Sequence, residues 1–263
     1  MTMCRLQSLR RPFLVLALII AQESPLLAQG SAGSSARIEP RYLVDIPTAG
    51  MIPKGNFAVD ADFYQDGGVL LGFSVGVLDR LYLGISYGGS SLIGSGKPVM
   101  NELPGMTVRI RILEETIALP ALVIGFDSQG RDGYNKSLSR YSIKSPGFFG
   151  AVSKNYLFLG FLSFHGGVNY SLERADGGNS MNVFAGLEKT LGPFLSAVME
   201  YNLGANDGSN NSLGSGKGYL NVGLRCSLGG GLTLGVNLKD LARNTPEVTI
   251  GNRTVRIEYI RPF

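Results

Sequence analysis

The chain holds a single histidine, His165, and its surroundings are the first place to look for chemistry. Ser163 and Asn169 share its parity in the run F-L-S-F-H-G-G-V-N-Y. Acyl hydrolysis needs a serine, a histidine and an acid or amide within mutual reach. On a strand, residues two apart are separated by about 6.5 Å, so the trio is conceivable on spacing alone. In a barrel-embedded lipid hydrolase, however, the serine and histidine face lipid. Here they alternate with Phe164 and Val168 and so face away from the apolar side. His165 therefore reads as a histidine in a polar lumen network. One histidine without further ligands does not build a zinc site. The tetrapeptide G-S-G-K occurs at Gly94 to Lys97 and again at Gly214 to Lys217, but no Ser or Thr follows either lysine. Neither copy sits between a strand and a helix, so neither is a phosphate-binding loop. The polar run Asn206, Asp207, Gly208, Asn210, Asn211 lacks the spacing of an EF-hand loop. No catalytic, cofactor-binding or metal-ligating residue is assigned.

What must position these groups is a repeated period-two alternation. The last ten residues, T-V-R-I-E-Y-I-R-P-F, put Val255, Ile257, Tyr259 and Phe263 on one face and Thr254, Arg256, Glu258 and Ile260 on the other. An alternating strand that ends on phenylalanine matches the terminal strand of an outer-membrane barrel, which must pair with the first strand to abolish the sheet edge. Tyr259 and Phe263 are the expected signal for the barrel-assembly machinery. Arg261 falls where an apolar residue is expected and would snorkel to the headgroups. About twelve such segments follow one another from Asn56, including a long one over Leu157 to Tyr170. Many are 9 to 12 residues long, the length of a tilted membrane strand. Connections after odd-numbered segments are long and polar, and those after even-numbered ones are short. Only Gln65 to Gly68 breaks the rule. That parity predicts an all-β fold: a transmembrane antiparallel β-barrel of about twelve strands, with long loops outside the cell and both termini in the periplasm. Opposite the apolar face lie Asp60, Asp62, Arg109, Arg111, Glu188, Glu200, Arg225, Lys239, Arg256 and Glu258, a lumen network of both signs. Glu200 and Arg225 are expected to pair across neighbouring strands.

The N-terminus fixes the compartment. Arg5, Arg10 and Arg11 precede the nine-residue apolar run Phe13 to Ala21, which is too short to span a bilayer. Leu26-Leu27-Ala28 and Gly30-Ser31-Ala32 are both plausible cleavage signatures, so residues 1–32 read as a cleaved signal peptide with its cleavage region. Residues 33–55, with L-V-D-I-P-T-A-G-M-I-P-K-G inside them, read as a periplasmic leader or a short plug, and 56–263 as the barrel. Losing the signal removes three Arg and one Glu, so the net charge of +4 falls to +2 and gives no argument for nucleic acid. Cys4 leaves with it, and Cys226 has no disulfide partner.

Several phrases resemble the YjbH-type outer-membrane proteins associated with exopolysaccharide production. They are L-V-D-I-P-T-A-G-M-I-P-K-G from Leu43, L-P-A-L-V-I-G-F-D-S-Q-G from Leu119, A-V-S-K-N-Y from Ala151, and Phe194 to Asn202 with its M-E-Y-N run. This chain is much shorter than the large members and would match one barrel unit. The resemblance implies an envelope role linked to exopolysaccharide production or secretion, with polysaccharide as a partner beside outer-membrane lipid, and it implies no enzyme. A small-solute pore is the alternative from the residues themselves, with a barrel-embedded lipid hydrolase behind it.

Overall fold

The computed structural model describes residues 30–209, 211–245 and 252–263. The segment read as the body of the signal peptide, residues 1–29, lies outside them. Alternating sequence becomes strand throughout: β1 (Asn56–Tyr64), β2 (Gly68–Leu78), β3 (Leu81–Ser90), β4 (Val99–Met100), β5 (Gly105–Leu113), β6 (Ala121–Asp127), β7 (Arg131–Asn135), β8 (Arg140–Ile143), β9 (Gly147–Leu157), β10 (Phe161–Tyr170), β11 (Asn182–Thr190), β12 (Leu195–Asn202), β13 (Tyr219–Gly229), β14 (Leu232–Lys239) and β15 (Asn252–Pro262). Twelve of these form an antiparallel barrel in which each strand pairs with the next. It closes where β1 meets β15, with Val59 opposite Tyr259 and Asp62 opposite Arg256. Closure leaves the barrel without a free edge, so every strand backbone can be satisfied inside a bilayer. Strand β4 only extends β3, and β7 and β8 form a separate hairpin in a long loop.

The outer face carries Leu71, Phe73, Leu83, Ile85, Ile110, Ile124, Phe148, Phe164, Met199, Leu224, Val236 and Ile257, all exposed. In water this apolar area would be unfavourable, whereas in hydrocarbon it is the required surface. The class of the molecule follows from this inversion: it is a transmembrane β-barrel of the outer-membrane type. The expected long segment from Leu157 starts too early, because Leu157 still belongs to β9. Leu159 and Gly160 both take positive φ (47° and 94°), so the chain turns there and β10 begins at Phe161. Arg261 stays exposed at the periplasmic rim and donates from Nε to the Gly230 carbonyl at 2.9 Å.

The compact core lies inside the barrel. Residues 30–55 enter from the periplasmic end, run up the lumen and return to β1. At the turn between β11 and β12 the N–H groups of Ser34 and Ser35 donate to the carbonyls of Gly192 and Pro193. A bridge between Tyr42 and Pro47 folds the upper part into a narrow hairpin whose tip is Leu43 to Ile46. Leu43, Val44, Ile46, Ala49, Met51 and Ile52 pack against inward-facing Ala58, Tyr82, Ala121, Val123, Phe149, Ala151, Phe184, Val198 and Ile260. The lumen thus has an apolar sector beside its charged one, which the alternation alone does not reveal because these positions read as ordinary variation on the polar face.

Candidate functional site: the occupied lumen

The ten predicted lumen charges all project inward, and most of them hold the inner segment. Glu200, 1% exposed, presents its carboxylate to three consecutive backbone N–H groups. Val44 donates to Oε2 at 2.7 Å, Asp45 to Oε1 at 2.9 Å and Ile46 to Oε2 at 3.2 Å. Asn221, its register partner on β13, adds a fourth bond at 2.7 Å. The tight turn at the tip aligns those N–H groups as an anion nest, and the carboxylate completes it. Such close approach needs a glycine beside it. A Cβ on Gly186 of β11 would stand 2.5 Å from Leu43 Cδ1 and 3.1 Å from the Glu200 Cβ.

The arginines work in the opposite sense and donate to the segment's carbonyls. Arg109, fully buried, reaches Arg41 O at 2.7 Å and Thr48 O at 3.2 Å, with Tyr42, Tyr82 and Phe149 rings around its guanidinium at 4.4, 5.4 and 5.1 Å. Arg111 bonds Ala49 O at 2.7 Å and pairs with Glu39 and Glu114. Arg256 bonds Val44 O at 2.9 Å and pairs with Asp62. From the segment itself, Arg41 pairs with Asp60 at 2.6 Å and Glu258 at 2.8 Å.

The expected Glu200–Arg225 pair does not form. Glu200 stands opposite Asn221, four residues along β13 from Arg225, or about 13 Å at the rise of a strand. Arg225 instead lies between Glu188 (3.9 Å) and Glu258 (3.6 Å) and donates to the Ser31 hydroxyl at 2.7 Å. The His165 trio is not assembled either. His165 Nδ1 meets Ser153 Oγ of β9, directly opposite in register, at 2.8 Å. Ser163 bonds Asn155, and Asn169 bonds the Pro146 carbonyl and Asn182. Ser153 also accepts the Ala49 N–H at 2.9 Å, so its hydroxyl joins the inner segment to the ring. His165 Nε2 is buried with no hydrogen-bond partner among the described residues, and the His165 side chain borders a pocket of about 230 Å³ at the periplasmic end. Among the described residues no carboxylate or amide bonds the ring, so the pair there lacks the third member of a hydrolytic constellation.

Sequence reasoning missed the contribution of the long loops. Hairpin β7–β8 lies over the extracellular mouth. Its Arg131 stacks on Tyr42 at 4.5 Å and approaches Asp62 at 3.5 Å. Its Asp132 meets Lys239 at 2.9 Å, and the same ammonium binds Asp45 of the inner segment at 2.9 Å. Higher up, Arg140 pairs with Asp176 at 2.6 Å and with Asp207, whose carboxylate also accepts the Tyr219 hydroxyl. Lys144 binds Asp176 at 2.7 Å and the Asn206 carbonyl at 2.8 Å. Three loops are thereby joined through buried charges. Burial alone would raise the Asp176 carboxyl, but Lys144, the Gly178 N–H and Arg140 together hold it below its usual range. Burial pushes Glu173 up, although it accepts the N–H groups of Tyr141 and Ser145. Burial also pushes the Tyr141 phenol up to about 12.

No family model and no curated protein matches the chain. Solved structures similar to it are outer-membrane channels. A KdgM porin covers 79% of this chain and 99% of its own at 10% identity, with a TM-score of 0.48. An outer membrane channel from Pseudomonas putida F1 covers 84% and 100% at 13% identity and 0.44. The NanC porin covers 79% and 99% at 7% identity and 0.42.

Proposed function

We propose that the protein is a small-solute channel of the outer membrane that rests closed, with residues 36–54 as its gate. The observation that carries this reading is how the wall grips the segment: Glu200, Arg109, Arg111 and Arg256 all bond its backbone. Such bonds to charged groups exchange for water at a net cost of about 1.5–3 kcal/mol each, and charged wall residues stay solvated once the segment moves. A lumen emptied of its segment would therefore be lined with hydrophilic groups of both signs. Leu43, Val44, Ile46, Met51 and Ile52 oppose that opening, since burying each contributes roughly 1.5–3 kcal/mol. Their sum makes spontaneous opening rare, so a stimulus must act on the gate.

The apolar cluster favours a second reading, a permanently sealed barrel that displays its loops. The exopolysaccharide role implied by the resemblance gains no support from the lumen, where the inner segment fills the path. Planar-bilayer conductance separates the readings. The intact chain is expected to be nearly silent, and a chain whose leader joins Lys54 directly, omitting residues 30–53, is expected to conduct steadily. A truncated barrel that folds, judged by heat-modifiability, yet stays silent would favour the sealed barrel. A double variant, Ala49→Cys with Ser153→Cys, places two thiols at neighbouring positions, joined in the parent by the Ala49 N–H to Ser153 Oγ bond, to lock the gate by oxidation. Loss of the residual openings on oxidation and their return on reduction are expected.

A further inference from the structure

On the lipid face, Gly150 of β9 stands between its register partners, Ile124 of β6 and Val168 of β10. A Cβ on Gly150 would meet nothing within 4 Å, so the face is indented where a side chain is missing. The indentation is an apolar groove of about 450 Å³. Phe126 and Phe148, with rings 5.0 Å apart, wall its extracellular end, and Ile110 and Met181 border it. The groove lies toward the ends of β6 and β10 that lead into long loops, which places it in the outer leaflet. Hydrocarbon surrounds it there, and a seated acyl chain regains the dispersion contacts that a gap against these walls would forfeit.

Phe126 also borders a second, polar pocket of about 250 Å³ among the loops, where Ser128, Ser139, Ser145, Glu173 and Arg174 meet. Glu173 is engaged there, accepting the N–H groups of Tyr141 at 3.0 Å and Ser145 at 3.1 Å. Arg174 is exposed and sits over the Tyr170 ring at 4.5 Å, and Tyr170 itself borders the groove. Among the described residues no carboxylate pairs with Arg174, whose Nε donates only to the Ser171 carbonyl at 3.5 Å. An unpaired guanidinium held on an aromatic ring is complementary to phosphate, which it can bind through two parallel N–H groups. We infer that groove and pocket form one binding site for a phosphorylated glycolipid of the outer leaflet. An acyl chain lies over Gly150, a phosphate meets Arg174, and the sugar hydroxyls meet the serines. This site stands apart from the channel reading, since a sealed barrel would carry it equally.

Native mass spectrometry tests it, on the full-length gene product purified from the outer membrane of a Gram-negative host, stripped of lipid in detergent and titrated with lipid A. A single tightly held lipid A is expected. Phosphatidylglycerol, which carries the phosphate without the sugar, is expected to bind at least about tenfold more weakly. Arg174→Gln removes one charge-assisted contact and is expected to weaken lipid A binding about tenfold. Gly150→Leu fills the groove and is expected to weaken it by a similar factor. Arg253→Gln, at an exposed arginine of β15 outside the groove, is expected to change nothing. Heat-modifiability shows which variants are folded, and Arg174 lies in a loop, so its variant tests the site independently of how Gly150→Leu folds. Lipid A binding unmoved by Arg174→Gln or by a folded Gly150→Leu, or lowered as much by Arg253→Gln, overturns the site. Equal binding of phosphatidylglycerol overturns the glycolipid assignment.

Discussion

Asp45 of the inner segment and Asp132 of the extracellular hairpin meet on one ammonium group, Lys239 Nζ, at 2.9 Å each. The tip of the segment and the loop over the mouth are thus tied to the same wall residue. Tyr42 adds a second tie, because its ring carries Arg131 of the hairpin and Arg109 of the wall. A loop displaced from outside would pull on the segment directly.

Replacing Lys239 with Met should therefore leave two buried carboxylates facing each other. Removing one partner of a buried ion pair costs about 3–5 kcal/mol. The thermal midpoint of the folded band in heat-modifiability gels should fall, and Asp45→Asn with Asp132→Asn should restore much of it. A Lys239→Met barrel as stable as the parent would mean that the tie carries no weight.

Glu200 and Arg225 should behave as independent residues. Glu200→Ala frees the N–H groups of Val44, Asp45 and Ile46 and should expose the segment to protease while the barrel stays folded. Arg225→Ala disturbs Glu188, Glu258 and Ser31 instead. With about 13 Å between the sites, the two stability losses should add within a few tenths of a kcal/mol. A coupling above about 1 kcal/mol would restore direct pairing.

The loop cluster carries a pH signature of known sign. Asp176 is held below its unfolded-state value, so the unfolded chain binds more protons as pH falls through the carboxylate range. The stability it contributes is complete above the ordinary carboxylate pKa and is lost as pH drops through its lowered folded value. Glu173 is raised and acts in the opposite sense, its contribution fading as pH rises past the unfolded value. Hydrogen exchange in residues 171–178 should consequently rise at acid pH, and Asp176→Asn should flatten that rise. An unchanged acid profile in Asp176→Asn would place the titration elsewhere.

At the terminal strand, Phe263 stacks on Phe57 at 5.9 Å, and its N–H donates to the Gly55 carbonyl at 2.9 Å. Phe57 also packs on Tyr259 and Phe73. Ile257→Arg places a charge on the lipid face and should cost about 2–4 kcal/mol if it lies near the midplane. Deleting Phe263 should lower insertion in cells more than stability after refolding into detergent. Normal insertion of the deletion variant would remove Phe263 from the assembly signal.

How much of this was legible in the sequence depends on periodicity. Strand alternation is local: in Thr254 to Phe263 every second residue reports its own side of the sheet, so the barrel, its lipid face and the inward set from Asp60 to Glu258 could be read off directly. Counting the alternating segments supplied the strand number, and loop parity pointed to a membrane barrel because connection length depends on which side of the membrane the chain turns. The start of the segment read from Leu157 was misplaced, because a non-glycine, Leu159, adopts positive φ beside Gly160, a conformation that hydrophobicity does not encode. Partners across the lumen were beyond reach for a different reason. Glu200 meets Val44 from 156 residues away and Lys239 meets Asp132 from 107, and no pattern along the chain records such separations. Which wall residue faces which depends on the register of every intervening strand, and a shift of one residue in any of them turns its charges to lipid. The sequence alone therefore determined a barrel with a charged interior. Only closure of that barrel around residues 30–55 decided that those charges hold the chain's own backbone.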